Sequence, residues 1–508
     1  MMNRALRDRA VTGYACAMRS PLRPAIALLA LVAILGSTAC RRPEPGSTDV
    51  VVIGDRPTLA DPAAGPLAAA DSVLLANVAQ GLVRFDARGQ IEAALAERWN
   101  VSDDGLNYIF RLQSGNWPGG RRIDAKDVAR LLNRQLRRTS LNPLRDTLGA
   151  VTEIVAMTDR VVEIRLGAPR PNLLQLLAQP EFAISRDGEG TGSFTRLPGK
   201  PEDPLHLRRT TPGFDGDNEV IEIVDLSGLP APSAVARFKS GQADLLLGGT
   251  FSDLPVARGA GLAREALRFD PVAGLFALVP ARATGPIADP ELRSLLSRAI
   301  DREALVAAFD VDGLTPRMTL LQSGLDGVGN PASPGWTLTP LAQRRPALVL
   351  EANRLFGRAP RPVLTVAFPA GPGSTLLFNR LVADLAPLGI GLRPAAKGEA
   401  VDLVLVDEVA PSTSPAWFVR RLRCDRVSLC DPEIDALANA ARETISPQQR
   451  AQFFALAAQR IDERLLLIPL TAPIRWSLVS NAVPGFTENR FGRHTLIGLA
   501  IKPTRDRD

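Results

Sequence analysis

Residues 81–136 read GLVRFDARGQIEAALAERWNVSDDGLNYIFRLQSGNWPGGRRIDAKDVARLLNRQL. Two short apolar runs, 82–85 and 91–95, flank the turn Asp86-Ala87-Arg88-Gly89. Residues 107–112 then alternate, with Tyr108, Phe110 and Leu112 on one face of a strand. A turn, GNWPGG, carries Trp117, and Asp124 stands where a carboxylate caps a helix bearing Val128, Leu131, Leu132 and Leu136. A period-2 face followed at once by a period-3.6 face needs a sheet with a helix laid on it. This excludes an all-helical bundle and an all-β sandwich.

The same alternation continues along the chain. Strands are expected at 49–54, 161–166, 219–225, 243–247, 276–279, 363–368, 401–406 and 465–470. Helices are expected at 71–81, 172–177, 233–239, 289–309 with a break near Asp301, 374–385, 431–443 and 447–464. The fold class is α/β, with no repeat of fixed period.

The start of the chain reads as an export signal. Arg19 and Arg23 precede an uncharged run at 25–35, and Ser37-Thr38-Ala39 lead into Cys40. A positive region, a short apolar region and small residues before a cleavage point make a leader, expected at 1–39. The true start is expected at Met18, which opens a normal leader. Residues 1–39 hold five arginines and one aspartate, so four of the six net positive charges sit there and the remainder carries +2. The basic balance therefore does not point to nucleic acid, and no Lys/Arg run interleaved with aromatics occurs.

Beyond residue 40 the cysteines are Cys424 and Cys430, in RRLRCDRVSLCDPEID. In an oxidising compartment this spacing suits a local disulfide. The alternative, a metal site, needs further ligands, and the two histidines, His206 and His494, are far away in sequence. Neither a His-Glu-x-x-His, a phosphate loop, a dinucleotide fingerprint nor a supported Ser-His-Asp order is present. Binding without catalysis, metal or cofactor is the expectation.

Six segments together resemble the family 5 extracytoplasmic solute-binding proteins, the peptide receptors of ABC importers. They are Leu59-Ala60-Asp61-Pro62, Gly190-Thr191-Gly192-Ser193-Phe194, the helix–Gly–x–x–Asp pattern ending at Gly241 and Asp244, Ala299-Ile300-Asp301-Arg302, Asp431-Pro432-Glu433-Ile434-Asp435-Ala436-Leu437, and Ile468-Pro469-Leu470. The 81–136 stretch matches the same family's N-terminal signature, and Cys40 resembles a lipobox cysteine. A plain secreted protein is the alternative to a lipoprotein.

The resemblance implies a two-lobed periplasmic binding protein, class II-like, with an interlobe cleft and hinge closure. Lobe I is expected at 49–74, 184–272 and 471–508, an inserted domain at 75–183 and lobe II at 273–470, after a lipidated linker at 40–48. It also implies a monomer that captures a peptide or similar small solute, docks on ABC permease subunits and is anchored to the cell envelope through Cys40. The alternative is an orphan or sensory lipoprotein with a non-peptide ligand; Arg41 after Cys40, resembling outward-sorted lipoproteins, favours it. Peptide-binding members pair the peptide's amine with an Asp four residues before a Pro. Here Pro415 matches that Pro and Pro411 stands where the Asp belongs, leaving Asp407 or Glu408 as replacement anchors. Trp417 and Phe418 are candidates to stack on ligand, Arg420 or Arg421 to meet a carboxylate, and Trp117 to contact ligand from the inserted domain.

Overall fold

The computed structural model describes residues 46–186, 188–212, 219–396 and 398–500. The expected leader and Cys40 lie outside these residues. Among the described residues no helix is long and apolar enough to cross a membrane.

The run Val50-Val51-Val52 lies in the strand Ser47–Ile53, buried along its centre. A strand covered on both faces needs continuous apolar residues rather than alternation. It accordingly sits mid-sheet, parallel to both Glu219–Leu229 and Leu245–Thr250. The full seven-stranded order is Thr195–Arg196, Leu205–Pro212, Glu219–Leu229, Ser47–Ile53, Leu245–Thr250, Arg475–Val479, Leu267–Phe269. Arg475–Val479 joins this sheet from near the far end of the chain.

A second, five-stranded sheet runs Gly391–Pro394, Val363–Ala367, Leu403–Val409, Gly274–Pro280, Ile468–Thr471. Gly274–Pro280 is buried along its whole length. The helical stretch expected at 289–309 is two helices, Pro290–Ala299 and Arg302–Phe309. The break falls where Asp301 leaves helical geometry and accepts the Ala304 N–H, capping the second helix.

The third sheet is antiparallel: Ala96–Val101, Asn107–Leu112, Val161–Leu166, Val151–Thr158. Helix Ala125–Leu136 packs on it, with Asp124 accepting the Lys126 N–H. Its Val128, Leu131 and Leu132 share a core with Tyr108, Phe110 and Leu112. Helix Ala69–Val78 runs unbroken through Leu75. An isolated bridge between Gln80 and Ile184 pairs the two ends of the excursion that holds this sheet.

Two short crossings, residues 270–273 and 472–474, link the seven-stranded and five-stranded sheets, and each sheet with its helices forms a lobe. One apolar cluster reaches across the junction, combining Val51, Leu246 and Trp476 with Phe276 and Leu278. Phe251 meets Phe276 edge-on at 4.8 Å there.

Candidate functional site

The segment after strand Leu403–Val409 is where the antiparallel sheet's segment meets the five-stranded lobe. Pro411, Ser412 and Thr413 are buried. Facing them is the helix Leu173–Leu177 and the turn behind it. Gln179 donates its Nε2–H to the Pro411 carbonyl at 2.8 Å. Gln175 Oε1 accepts the Thr413 N–H at 2.9 Å, and Asn172 Nδ2 donates to Thr413 Oγ1 at 2.8 Å. Gln179 is itself held, accepting from Arg493 Nε at 3.1 Å, while Arg493 pairs with Glu181 at 2.9 Å. The backbone at Pro411 thus presents no free carbonyl.

Reasoning from sequence gave none of Asn172, Gln175, Gln179 and Arg493 a functional role. One signal was available: Gln175 interrupts Leu-Leu-Gln-Leu-Leu, and an amide inside such a run has to find a partner.

The two acidic residues proposed as replacement anchors are both already engaged. Arg475 Nη1 donates to both carboxylate oxygens of Asp407, at 2.8 and 3.0 Å, and its Nη2 reaches the Asp407 carbonyl. Burial pushes the Asp407 carboxyl above its usual range, and the Arg475 charge works against that shift. Arg421 binds the Glu408 carboxylate. Neither acid is free to hold an amine in this conformation, because each balances a guanidinium.

The aromatic candidates pack inward. Phe418 is 0 % exposed and Trp417 6 %, both in a cluster with Ile434 and Phe454. They meet edge-on at 4.9 Å, and the Arg421 guanidinium lies 5.8 Å from the Trp417 ring. The short helix Pro415–Arg420 buries Trp417, Phe418 and Val419 in succession, so none of its large apolar side chains is left for a ligand. Trp117, 3 % exposed, is core to the antiparallel sheet and its helix. Asp407, Glu408, Arg420 and Arg421 thus lie on and just after strand Leu403–Val409, each engaged by other protein groups, while Trp117, Trp417 and Phe418 pack into apolar cores.

Arg420 donates to the Asp146 carbonyl across the junction. Burial lowers its pKa to about 10, with Arg423 and Arg442 adding repulsion. Cys424 and Cys430 are joined by a disulfide, with a Cα–Cα distance of 5.1 Å. Among the described residues no group of three or more His, Cys, Asp or Glu side chains could hold a metal ion. The junction is built from amides, carbonyls and guanidiniums, which bind and clasp by hydrogen bonding and charge.

Comparison with known proteins agrees with this architecture. The probable di/tripeptide-binding protein 5 of Pseudomonas aeruginosa is 24% identical over 487 residues, covering 83% of this chain and 89% of its own. The crystal structure of Haemophilus influenzae OppA in complex with the peptide RPPGFSPFR superposes with a TM-score of 0.75 at 15% identity, covering 89% of this chain and 98% of that one. AgaA of A. tumefaciens R10, in complex with agropinic acid, superposes with a TM-score of 0.70 at 19% identity, covering 91% and 99%. The model of the bacterial extracellular solute-binding proteins, family 5 Middle, matches residues 90–343, half of the chain. With two lobes, a grip at their junction and that match, the chain belongs to the bacterial extracellular solute-binding proteins of family 5.

Proposed function

We propose that this protein captures a peptide or a similar small solute between its lobes and delivers it to the permease subunits of an ABC importer. Lobe I comprises 49–74, 184–272 and 471–508, the inserted domain 75–183 and lobe II 273–470. The protein works as a monomer on the outer side of the cytoplasmic membrane, held to the cell envelope by a lipid on Cys40. The observation that carries this reading is the contact of residues 172–179 with Pro411 and Thr413. It joins the antiparallel sheet's segment to the five-stranded lobe beside Pro411, the residue that the sequence resemblance aligns with the amine-binding acid of the peptide-binding members. The relatives named for di- and tripeptides and for oligopeptides support a peptide ligand.

The anchoring chemistry differs from the peptide-binding pattern. Pro411 replaces the amine-binding acid, and Asp407 and Glu408 are paired with arginines. That departure, with the agropinic acid bound by AgaA, favours a ligand recognised by something other than its amine. Native mass spectrometry of the protein, purified without denaturation, tests capture directly. A mass excess that disappears on denaturation is the expected result. A protein that carries nothing and shows no thermal shift with a broad set of peptides and small acids would sink the reading.

A further inference from the structure

A second feature lies on the same junction. A cavity of about 180 Å³ opens between residues 145–149, from the antiparallel sheet's segment, and residues 420–442 of the five-stranded lobe. Five arginines line it, Arg145, Arg420, Arg423, Arg426 and Arg442, against two acids, Asp146 and Asp425.

Asp146 is engaged on both oxygens, accepting from Arg426 at 2.6 Å and Arg145 at 3.1 Å. Burial alone would raise its pKa, but these guanidiniums hold it below the usual range. Arg423 lies 3.5 Å from Asp425 and 3.8 Å from Asp435, and Arg442 lies 3.6 Å from Glu443, so Arg420 is the one arginine of the five without an ion-paired carboxylate among the described residues. Arg420 and the adjoining Arg170 have carbonyl partners, Asp146 O and the Pro169 and Arg442 carbonyls. Among the described residues no carboxylate forms an ion pair with either.

Burial lowers the Arg170 pKa to about 10, and repulsion from Arg450, Arg420 and Arg442 adds to it. Asp146 attracts Arg420, but it already binds Arg145 and Arg426, so Arg420 and Arg170 stay under-compensated where guanidiniums crowd, and an anion placed among them relieves both the burial and the repulsion. Guanidinium forks also match the geometry of carboxylate and phosphate oxygens. The disulfide closes the 424–430 loop that carries Arg426, which limits that one arginine's freedom before any ligand arrives.

We propose that this pocket receives an anionic group of the captured solute, a carboxylate or a phosphate, so that the protein selects acidic small solutes. The proposal rests on capture between the lobes and names the ligand class for it. The cavity is sized for such a group and not for a whole peptide, so the rest of the solute extends along the junction.

Isothermal titration calorimetry on the full chain tests this with four probes: inorganic phosphate, citrate, the dipeptide Asp-Glu and neutral trialanine. The expected result is binding of at least one acidic probe, weakening as sodium chloride is raised, with trialanine much weaker. Arg423→Gln and Arg442→Gln, both at partly exposed positions, should each weaken that binding at least tenfold while leaving the melting temperature nearly unchanged. Preference for citrate or Asp-Glu would mark a carboxylate ligand, and preference for phosphate a phosphate ester. Trialanine binding as tightly, with both variants unaffected, would overturn the selection of acids and leave capture standing. Acidic probes that bind both variants like the wild type would indicate an adventitious ion only and overturn the site. If none of the four binds, the site is likewise overturned, and capture then stands or falls on the native mass measurement.

Discussion

Asp462 shows how one carboxyl can set the pH behaviour of this protein. It lies near the C-terminal end of helix Pro447–Arg464 and accepts the Leu320 N–H at 2.9 Å. Burial pushes its pKa up to about 7, Glu463 repels the charge further, and the Leu320 hydrogen bond opposes both. The carbonyl end of a helix adds to the disfavour of an anion. The unfolded value is near 3.9. Between about pH 4 and 7 the folded chain therefore keeps a proton that the unfolded chain has released. The stabilisation from this group is full below about pH 4 and is lost as pH rises through about 7. Asp462→Asn is expected to be more stable than wild type at pH 8, by on the order of 1–3 kcal/mol, and to gain nothing at pH 4. Thermal melts at the two values check it, and equal melting temperatures at pH 8 would contradict it. Nothing in the local sequence reveals this residue, which sits between Ile461 and Glu463 on a helix. Its burial comes from a segment 142 positions earlier in the chain. The same limit applies to Trp417 and Phe418, whose aromatic character is legible in sequence but whose direction is fixed by the helices packed on them.

At the scale of elements, the sequence was most legible where burial and periodicity coincide. The strand at Val50-Val51-Val52 and the Asp124 and Asp301 caps were readable because each signal is local. Helix Leu341–Phe356 was not, because Pro346 lies inside it and only Leu348 and Ala352 are buried, leaving no clear apolar stripe. The strand expected at 243–247 continues through two glycines to Thr250. Its pairing with Arg475–Val479 shifts register between Leu246 and Gly249, and the Trp476 ring lies against Gly249. A Cβ on Gly249 would stand 2.2 Å from that ring. Trp476 cannot easily move aside, since it is 1 % exposed and donates its Nε1–H to the Thr250 carbonyl at 2.7 Å. Gly249→Ala is therefore expected to destabilise the protein by about 1–3 kcal/mol, the usual cost of overpacking a filled core. Urea denaturation followed by tryptophan fluorescence measures this, and an unchanged midpoint would show that the junction tolerates the extra carbon.

The whole molecule turns on how the two lobes balance open and closed arrangements. The family pattern made two lobes legible from motifs spread between Leu59 and Leu470. The contacts that hold them together were not legible, because Gln179 and Pro411 are 232 positions apart and Asn172 and Thr413 are 241 apart. Gln179 is 2 % exposed and fills two roles, donating to the Pro411 carbonyl and accepting from Arg493. Opening the lobes would return the Pro411 carbonyl to water, whereas losing the Gln179 amide leaves it buried without a partner in the closed form. Gln179→Ala therefore destabilises the closed form selectively, by about the 1–3 kcal/mol that a buried acceptor left without a partner costs. Because bound solute favours closure, its apparent affinity should fall by roughly 5–150-fold. The apolar cores of both lobes are untouched, so the melting temperature of the solute-free protein should change little. Small-angle scattering of that protein should show a larger radius of gyration in the variant, and calorimetry with the solute recovered from the wild type should show the weaker binding. A variant with unchanged radius and unchanged affinity would mean that the Gln179 contact follows closure without contributing to it. The clasp would then reside in Gln175, Asn172 and the arginines at the other end of the junction.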